Sequence, residues 1–355
     1  MRERLLLAIA AVFYYSGLVK LAGLWKRRMG APNLVILNYH RASDNMKQHM
    51  LYLRRHYRVL HLEDALTELF DPADRKKNRS DRRLPLVITL DDGYYDNYSN
   101  AFKLATELQV PITIFLIPGY IENGQRFWWY EPEQLLAQAC VHKVVIDEQT
   151  YQLDNAAERE LLKQLIDKRV RRASSVVERE TFLAWIRQAL DEPPLVTAAE
   201  KPALPMTWEE VLEMDRSDWV SFGAHTMHHP ILAYLADPAE ASYEVCESRA
   251  VLEQKLGHPV RTFAYPVGWL DHIGLQGVKA AHEAAFGWAV TTVYGFNTAQ
   301  DDPYLLRRIE ADTDEHWLLL AAKASGVWFF FTSLVRTLLA SLRNPFKRRN
   351  LVLRL

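Results

Sequence analysis

Cysteine is scarce in this sequence. Only Cys140 and Cys246 occur among 355 residues, which is too few for a disulfide framework. The scarcity fits a reducing compartment, although two cysteines alone do not establish one. The fold must therefore depend on a hydrophobic core, for which 49% hydrophobic residues are sufficient. The length accommodates one large α/β domain with extensions, or two ordinary domains.

The chain also lacks a substantial net charge, which is only −1, but its charges are unevenly distributed. Residues 1–30 carry +5 and residues 316–355 carry +7, so the segment between them carries −13. Because an acidic body repels phosphate groups, we expect no nucleic-acid partner. Basic ends on an acidic body instead favour contact with an anionic membrane surface.

No apolar run at the amino terminus reaches the ~20 residues that span a bilayer. The segment LLLAIAAVFYYSGLVKLAGLWKRR, residues 5–28, is interrupted at Lys20. It has no small-x-small cleavage site after the apolar run, which argues against a signal peptide. A single spanning anchor is one alternative, and an interfacial helix lying on the membrane is the favoured one. The basic residues that follow predict that the body stays on the cytoplasmic face of the inner membrane.

The carboxyl-terminal stretch GVWFFFTSLVRTLLASLRNPFKRR, residues 326–349, repeats this combination of apolar and basic residues. Arg336 and Arg343 share one face of a helix, among aromatic and aliphatic side chains. One interpretation is a helix packed on the body with a solvated basic tail. We favour the other, a second segment that lies on a membrane. The chain thus divides into a membrane-associating segment (1–30), a body (31–315) and a basic amphipathic segment (316–355).

Within the body, predicted strands and helices alternate. Short apolar runs predict strands at 34–40, 86–90, 111–116, 219–225, 262–266 and 288–293. Helices are predicted at 45–70, 96–108, 155–190, 207–214, 239–256 and 276–285, with a capping box formed by Thr207 and Glu210. A charged loop (71–83) and a proline-rich connector (191–205) interrupt the pattern, and a helical insertion occupies about 136–205. The alternation predicts an α/β fold with a parallel sheet covered on both faces, or a barrel.

Polar residues follow several of the predicted strands. His40 ends the first strand, Asp91 and Asp92 come at the end of the second, His225 ends a later one, and the turn Tyr265-Pro266 ends another. Because α/β folds place chemistry at the carboxyl ends of their strands, we expect these residues to converge.

Two of these patterns together indicate a metal site. His225 and His229 are four residues apart in HTMHHP, and one nearby carboxylate would complete a three-ligand site with room for water. The second carboxylate of the Asp-Asp pair could then act as a base, since adjacent side chains on extended backbone point to different sides. His228 is a competing ligand. Taken singly, each pattern also fits a plain turn or ordinary core histidines.

In this order, the motifs resemble those of the polysaccharide deacetylase family with its NodB-type domain. ITLDDG (88–93) resembles the first family motif, with Leu90 in place of phenylalanine, and HTMHHP (225–230) matches the second. FAYPVG (263–268) is similar to the third. The opening LNYHR (37–41) resembles the branch that includes poly-N-acetylglucosamine deacetylases, as do FLIPGYIENGQRFWWYE and MTWEEVLEM. The resemblance covers 34–135 and 205–310, and it implies a distorted, incomplete (β/α) barrel.

The resemblance also implies roles for individual residues. Asp91 would be the catalytic base and His40 the general acid. A divalent metal ion, often zinc, with nickel, cobalt, iron or manganese as alternatives, would be held by three side chains: Asp92, His225 and His229. The oxyanion and substrate loop would be Tyr265, Pro266 and Val267, with the backbone N–H of Val267 as the donor.

The sequence departs from the family pattern in the third motif. Ala264 stands where the family carries an arginine that pairs with the base aspartate. Arg41 or Arg307 could substitute for it. A carboxyl-terminal leucine-x-histidine motif is missing, with His316 as the nearest candidate, and this favours His40 as the acid.

These features predict a metal-dependent hydrolase that removes N-acetyl groups from amino-sugar units of a polysaccharide or lipid-linked glycan, in exopolysaccharide or cell-surface glycan biosynthesis. The aromatic group at 127–130 could stack on sugar rings through Trp128 and Trp129, or form an aromatic cap over the barrel. Two alternative functions stay open. One is a weakened family member that only binds metal or glycan, and the other is a related O-acetyl esterase or amidase.

Overall fold

A computed structural model describes residues 2–28, 34–71, 81, 83–191 and 200–343. Most of the predicted charged loop at 71–83 lies outside the described residues. The same holds for most of the proline-rich connector at 191–205 and for the basic tail from residue 344 onward. Strands and helices are numbered below in chain order.

Seven parallel strands form the centre of the fold and close into a barrel, as the alternation of elements and the family resemblance predicted. They are β1 (Val35–Tyr39), β3 (Pro85–Leu90), β4 (Ile112–Leu116), β7 (Val220–Ala224), β8 (Thr262–Ala264), β9 (Trp288–Tyr294) and β10 (Leu306–Glu310). Around the barrel the order is β1, β10, β9, β8, β7, β4, β3, and β3 pairs with β1 to close it. The short strand β2 (Arg58–Val59) extends the sheet beside β3.

Apolar side chains fill both faces of these strands, which is why they read as continuous apolar runs. Ile36, Val87 and Phe115 belong to one buried cluster, which also contains Leu306. Side chains on the alternate positions, such as Leu37 and Ile88, join the larger cluster beneath the helices. The barrel interior is thus packed with side chains, and the chemistry can only lie at one of its ends.

Helices cover the barrel: α3 (Met46–His56), α4 (Leu62–Phe70), α5 (Lys103–Leu108), α6 (Pro118–Asn123), α10 (Trp208–Asp215), α11 (Pro238–Leu256) and α12 (Leu270–Glu283). The predicted capping box at the start of α10 is present: the side chain of Thr207 accepts from the N–H of Glu210, and the Glu210 carboxylate accepts from the N–H of Thr207.

The insertion between β4 and β7 is only partly helical, so the prediction of a helical insertion needs correction. It contains α7 (Glu131–Gln138), α8 (Ala156–Arg171) and α9 (Val176–Ala189), but also an antiparallel hairpin of β5 (Lys143–Ile146) and β6 (Gln149–Gln152). The hairpin turn consists of Asp147 and Glu148, both with positive φ, as a tight two-residue turn requires. The insertion has its own hydrophobic core, which also includes Phe127 and Trp128.

The described amino-terminal and carboxyl-terminal helices pack against each other. The amino-terminal helices are α1 (Arg2–Tyr15) and α2 (Leu18–Arg28), and the carboxyl-terminal helices are α13 (Trp317–Ser325) and α14 (Val327–Arg343). Ala10 is buried against α13, and the Phe13 ring contacts the Phe331 ring of α14 edge to face at 5.2 Å. Among the described helices, none is by itself long and apolar enough to cross a membrane. The bent pairs α1–α2 and α13–α14 meet that test by length and composition only.

Candidate active site

The residues expected to carry chemistry converge at the carboxyl ends of the barrel strands. They line an open cavity of about 340 Å³, a size typical of small-ligand sites. Trp128 and Trp129, the predicted stacking residues, take part, as do six of the predicted catalytic, metal-binding and oxyanion residues: His40, Asp91, Asp92, His225, His229 and Val267. They come from loops after β1, β3, β7 and β8, so barrel closure alone brings them together.

Asp92, His225 and His229 form a compact set of ligand atoms, all within 4.8 Å of one another. The Nε2 atoms of His225 and His229 lie 3.4 and 3.6 Å from Oδ1 of Asp92. Ligand atoms held by one tetrahedral ion at bonds of ~2.1 Å would be about 3.4 Å apart. Oδ1 of Asp92 is buried and has no hydrogen-bond partner among the described residues. This orphaned oxygen, facing two imidazoles, fits a divalent cation.

The protonation states of Asp92 and His229 also suit a cation. Burial, aided by the neighbouring His225, lowers the pKa of His229 to about 3, so its ring is neutral and can offer a lone pair. Burial alone would raise the pKa of Asp92, but the surrounding histidines hold it well below the usual range. Nδ1 of His225 donates to the carbonyl of Ala264 at 2.7 Å, which turns Nε2 toward Asp92. Burial opposes the charged form of His225, but Asp92 and Asp91 raise its pKa overall.

The backbone around this set is strained. Asp92, Thr226, His229 and Val267 all adopt positive φ, between 53° and 76°. For a β-branched residue such as Val267 this conformation is uncommon and costs of order 1–3 kcal/mol. Three of these four residues, Asp92, His229 and Val267, present ligands or line the cavity, which indicates that local stability is sacrificed there to fix the directions of these groups.

Asp91 is paired with an arginine that the sequence-based hypotheses did not name. Its two carboxylate oxygens accept from Nη1 and Nη2 of Arg308, both at 2.7 Å. Burial alone would raise the pKa of Asp91, but this bidentate pair outweighs it and lowers the pKa below its usual value. Asp91 is therefore ionised at neutral pH. A carboxylate has about four lone-pair positions, and Arg308 occupies two of them. The other two are left to accept a proton.

The hypothesis that Arg41 or Arg307 replaces the arginine missing at Ala264 is wrong. Arg41 donates to Asp96 at 2.5 Å and to the Tyr130 hydroxyl. Arg307 is half exposed and lies 3.7 Å from Asp301. Arg308, 1% exposed, is the residue that reaches Asp91 through the barrel interior.

His40 lies on the exposed side of the cavity, where a proton can exchange with solvent. Its backbone carbonyl accepts from Nδ2 of Asn97 at 3.0 Å, which holds the loop after β1 in place. His316, the alternative acid candidate, is instead the N-cap of α13, with Nδ1 accepting from the N–H of Leu318.

The oxyanion loop is only partly as predicted. Val267 lines the cavity, and among the described residues its N–H has no hydrogen-bond acceptor. The side chain of Tyr265 is fully buried and packs on the Phe263 ring, so it does not face the cavity. Strand alternation explains this difference, since Tyr265 extends the outward-facing register of Phe263.

The aromatic group at 127–130 has two buried rings, Phe127 and Trp128, and two half-buried rings, Trp129 and Tyr130. Trp128 is 2% exposed and donates from Nε1 to the carbonyl of His229 at 2.9 Å. It therefore supports the loop that carries His229, and its burial disfavours stacking on a sugar. Trp129 is half-buried, and its ring lies 4.5 Å from that of His229. Of the two tryptophans predicted to stack on sugar rings, Trp129 is thus the one that can meet a substrate.

A buried carboxylate and a buried guanidinium hold the loop that carries the two histidines. Glu244 on α11 accepts from the N–H and from Nδ1 of His228, and its carbonyl accepts from the N–H of Met227. Arg179 of the insertion donates to the carbonyl of His228 at 2.9 Å. His228 is therefore turned away from Asp92 and is not a third imidazole ligand. Sequence reasoning missed both supports, because neither belongs to a local motif.

A parallel barrel with this carboxylate and imidazole site at its carboxyl end defines a (β/α)-barrel hydrolase. A sequence model of the polysaccharide deacetylase family matches residues 78–282, which is more than half of the chain. The chain therefore belongs to the polysaccharide deacetylase family, and it is a deacetylase that acts on acetylated glycans.

Solved structures support the fold. The Streptococcus pyogenes deacetylase PplD in complex with acetate superposes with a TM-score of 0.54 at 17% identity, covering 83% of this chain and 99% of that one. IcaB from Ammonifex degensii gives 0.52 at 18% identity, covering 83% and 97%. The putative polysaccharide deacetylase BA0330 from Bacillus anthracis gives 0.51 at 17%, covering 83% and 69%. A comparison with curated proteins finds no match.

Proposed function

We propose that this enzyme hydrolyses the N-acetyl group of amino-sugar units, of the N-acetylglucosamine type, in the biosynthesis of an exopolysaccharide or cell-surface glycan. Asp92, His225 and His229 would hold a divalent cation, with zinc the first expectation. One observation carries the proposal: these three ligands line the same cavity as Asp91, an ionised carboxylate held by Arg308.

When bound, the cation polarises the acetyl carbonyl and makes the attacking water more acidic. Asp91 accepts the proton from that water as the new carbon–oxygen bond forms. The N–H of Val267 donates to the oxyanion. His40, on the exposed side of the cavity, gives a proton to the nitrogen as the carbon–nitrogen bond breaks, because an amine leaves poorly without one. The products are acetate and a free amino sugar.

The pairing of Asp91 with Arg308 also argues against a weakened member of the family. That alternative rested on Ala264, where the family motif has an arginine. Since Arg308 supplies a guanidinium to the same aspartate from another strand, Ala264 does not leave the base unpaired.

Acetate release and metal content test the proposal together. Purified protein should bind about one equivalent of cation and release acetate from N-acetylglucosamine oligomers. Asp91→Asn should keep the cation and lose about 10²–10⁴-fold in kcat, because the base is removed and the ligands are not. His40→Gln should lose amide hydrolysis far more than hydrolysis of an activated O-acetyl ester, whose leaving group needs no proton. Wild-type protein that holds cation but releases no acetate would refute the proposal.

A further inference from the structure

Three helices at the chain ends leave apolar side chains exposed to solvent. On α1 these include Leu5 and Val12, on α2 Leu21 and Leu24, and on α14 Phe330 and Leu334. The helices adjoin one another, since α2 follows α1 and the rings of Phe13 and Phe331 join α1 to α14. We call these exposed side chains the terminal-helix surface. A monomeric soluble protein rarely exposes such an apolar area without a partner.

Charge identifies the partner. Arg4, Lys20 and Arg336 are exposed on the same helices, and the end segments carry +5 and +7 against −13 for the body. An anionic bilayer attracts such ends, at roughly 1 kcal/mol per basic residue, and repels the body. The mixture of apolar and basic side chains is that of a helix lying in the membrane interface.

The α14 part of this surface adjoins the catalytic end of the barrel, whereas Leu24 of α2 lies beside Tyr57 and Leu84, which precede β2 and β3 at the other end. Tyr294 ends β9, and its ring stacks on that of Phe329 at 4.5 Å, while its hydroxyl donates to the carbonyl of Lys323. Nζ of Lys323 in turn reaches the carbonyl of Glu310, where β10 ends. Thr292, two residues before Tyr294, lines the active-site cavity. The junction of α13 and α14 therefore sits on the same rim as the site.

We infer that the terminal-helix surface docks on an anionic bilayer at the cytoplasmic face, and that the enzyme deacetylates a glycan while it is attached to a membrane lipid. Docking through α14 places the catalytic rim beside the headgroups, where the first sugars of a lipid-linked glycan are presented. The inference rests on the proposed function for its chemistry, and on the exposed side chains for the docking.

The experiment uses the full chain and vesicles of phosphatidylcholine with or without phosphatidylglycerol. The probe is an N-acetylglucosamine oligomer coupled to phosphatidylethanolamine in the vesicles, compared with the same oligomer free in solution. Wild-type protein should co-sediment with the anionic vesicles, less so at high salt. It should release acetate from the vesicle-borne oligomer with about tenfold or greater kcat/KM than from the free one.

Two exposed-site variants decide whether the terminal-helix surface is responsible. Phe330→Ser combined with Leu334→Ser should weaken vesicle binding about tenfold or more, and should bring the ratio of the two kcat/KM values toward one. The matched control is Leu275→Ser on α12, a 92% exposed leucine outside that surface, which should leave the ratio unchanged.

Each outcome has a separate meaning. Wild-type protein that stays in the supernatant overturns the docking surface. Pelleting with equal kcat/KM on both probes overturns the lipid-linked substrate alone. Pelleting without acetate release from either probe refutes the proposed function and the substrate, while the docking surface is supported.

Discussion

At the scale of single residues, the pair of Asp91 and Arg308 has the largest chemical consequence. Both members are buried and joined by two hydrogen bonds of 2.7 Å. A buried carboxylate without this partner would be forced toward its protonated form, and a protonated Asp91 could not accept a proton from water. Arg308 is thus a positioning residue that keeps the base charged.

Replacing Arg308 tests this interpretation through a pH profile. In Arg308→Gln, the pKa of Asp91 should rise, because burial is no longer outweighed. The acid limb of kcat/KM against pH should therefore move to higher pH, and kcat should fall. Arg308→Lys keeps the charge without the bidentate geometry, so its acid limb should stay nearer that of the wild type. An unshifted acid limb in Arg308→Gln would contradict the role.

The same pair has a consequence for stability, whose sign follows from the pKa. Because Arg308 lowers the pKa of Asp91 in the folded state, the pair stabilises the fold at neutral pH. This stabilisation is lost as pH falls through the lowered pKa. Breaking one partner of a buried pair costs about 3–5 kcal/mol, so denaturant unfolding at pH 7 should show Arg308→Gln to be clearly less stable.

The sequence located most of the cavity-lining residues but not this partner. Five of them lie at or just after the ends of predicted strands: His40, Asp91, Asp92, His225 and His229. Because α/β folds place chemistry at the carboxyl ends of their strands, this was enough to predict that they converge. The partner of Asp91 lies 217 residues away, and Arg307 and Arg308 are neighbours that face opposite sides. Choosing between them requires the side-chain register of β10, which no local pattern settles because the pairing with β9 shifts there.

At the scale of elements, the loop Thr226–His229 depends on α11 and on the insertion for its shape. Two of its residues have positive φ, and Glu244 and Arg179 hold it from opposite elements. Hydrogen-bond partners of this kind orient the side chains that bind a metal, and their loss typically lowers metal affinity about 10–100-fold.

Glu244→Gln should therefore lower cation affinity by about 10–100-fold while the protein stays folded. The glutamine keeps the size of the side chain but removes the charge that His228 and its N–H face. Competition with a chromogenic chelator measures the affinity directly, without any assay of activity. Glu247→Gln, on the same helix and without a hydrogen bond to the loop among the described residues, is the control. Equal affinities in the two variants would exclude the role.

Elements with a clear apolar period were predictable, and the hairpin of β5 and β6 was not. Its sequence KVVIDEQTYQ is short and polar on one face, and its turn is Asp-Glu, without the glycine that marks a typical tight turn. Surrounding charge-rich helices made the whole insertion resemble helical sequence. The alternate burial of Val144 and Ile146 is visible only once the hairpin packs on the insertion core.

At the scale of the whole molecule, cation binding should stabilise the fold, because its ligands come from loops after β3 and β7 that only the closed barrel brings together. A cation at 100 times its Kd adds about 2.7 kcal/mol to the free energy of unfolding. Calorimetry with and without cation should show a rise in Tm that is abolished in Asp92→Asn. A rise of the same size in that variant would place the cation elsewhere.

The charge distribution predicted that both chain ends share one environment, and the structure packs α1 against α13 and α14. Which helix faces meet could not be read from the sequence, since α1 and α13 are apolar on most of their faces. Nor could the sequence show that their junction lies on the catalytic rim, because that position depends on Tyr294 and Phe329.

The order in which the barrel strands are synthesised has a consequence for the timing of activity. The ribosome completes Asp92, His225 and His229 well before it reaches β10, which lies between β9 and β1 and carries Arg308. A nascent chain can thus contain all three cation ligands before Arg308 has been made. At that stage Asp91 lacks its ion-pair partner and the barrel is still open. Competence arrives only once β10 has been made and has closed the barrel, so nascent chains that lack β10 are held inactive by topology.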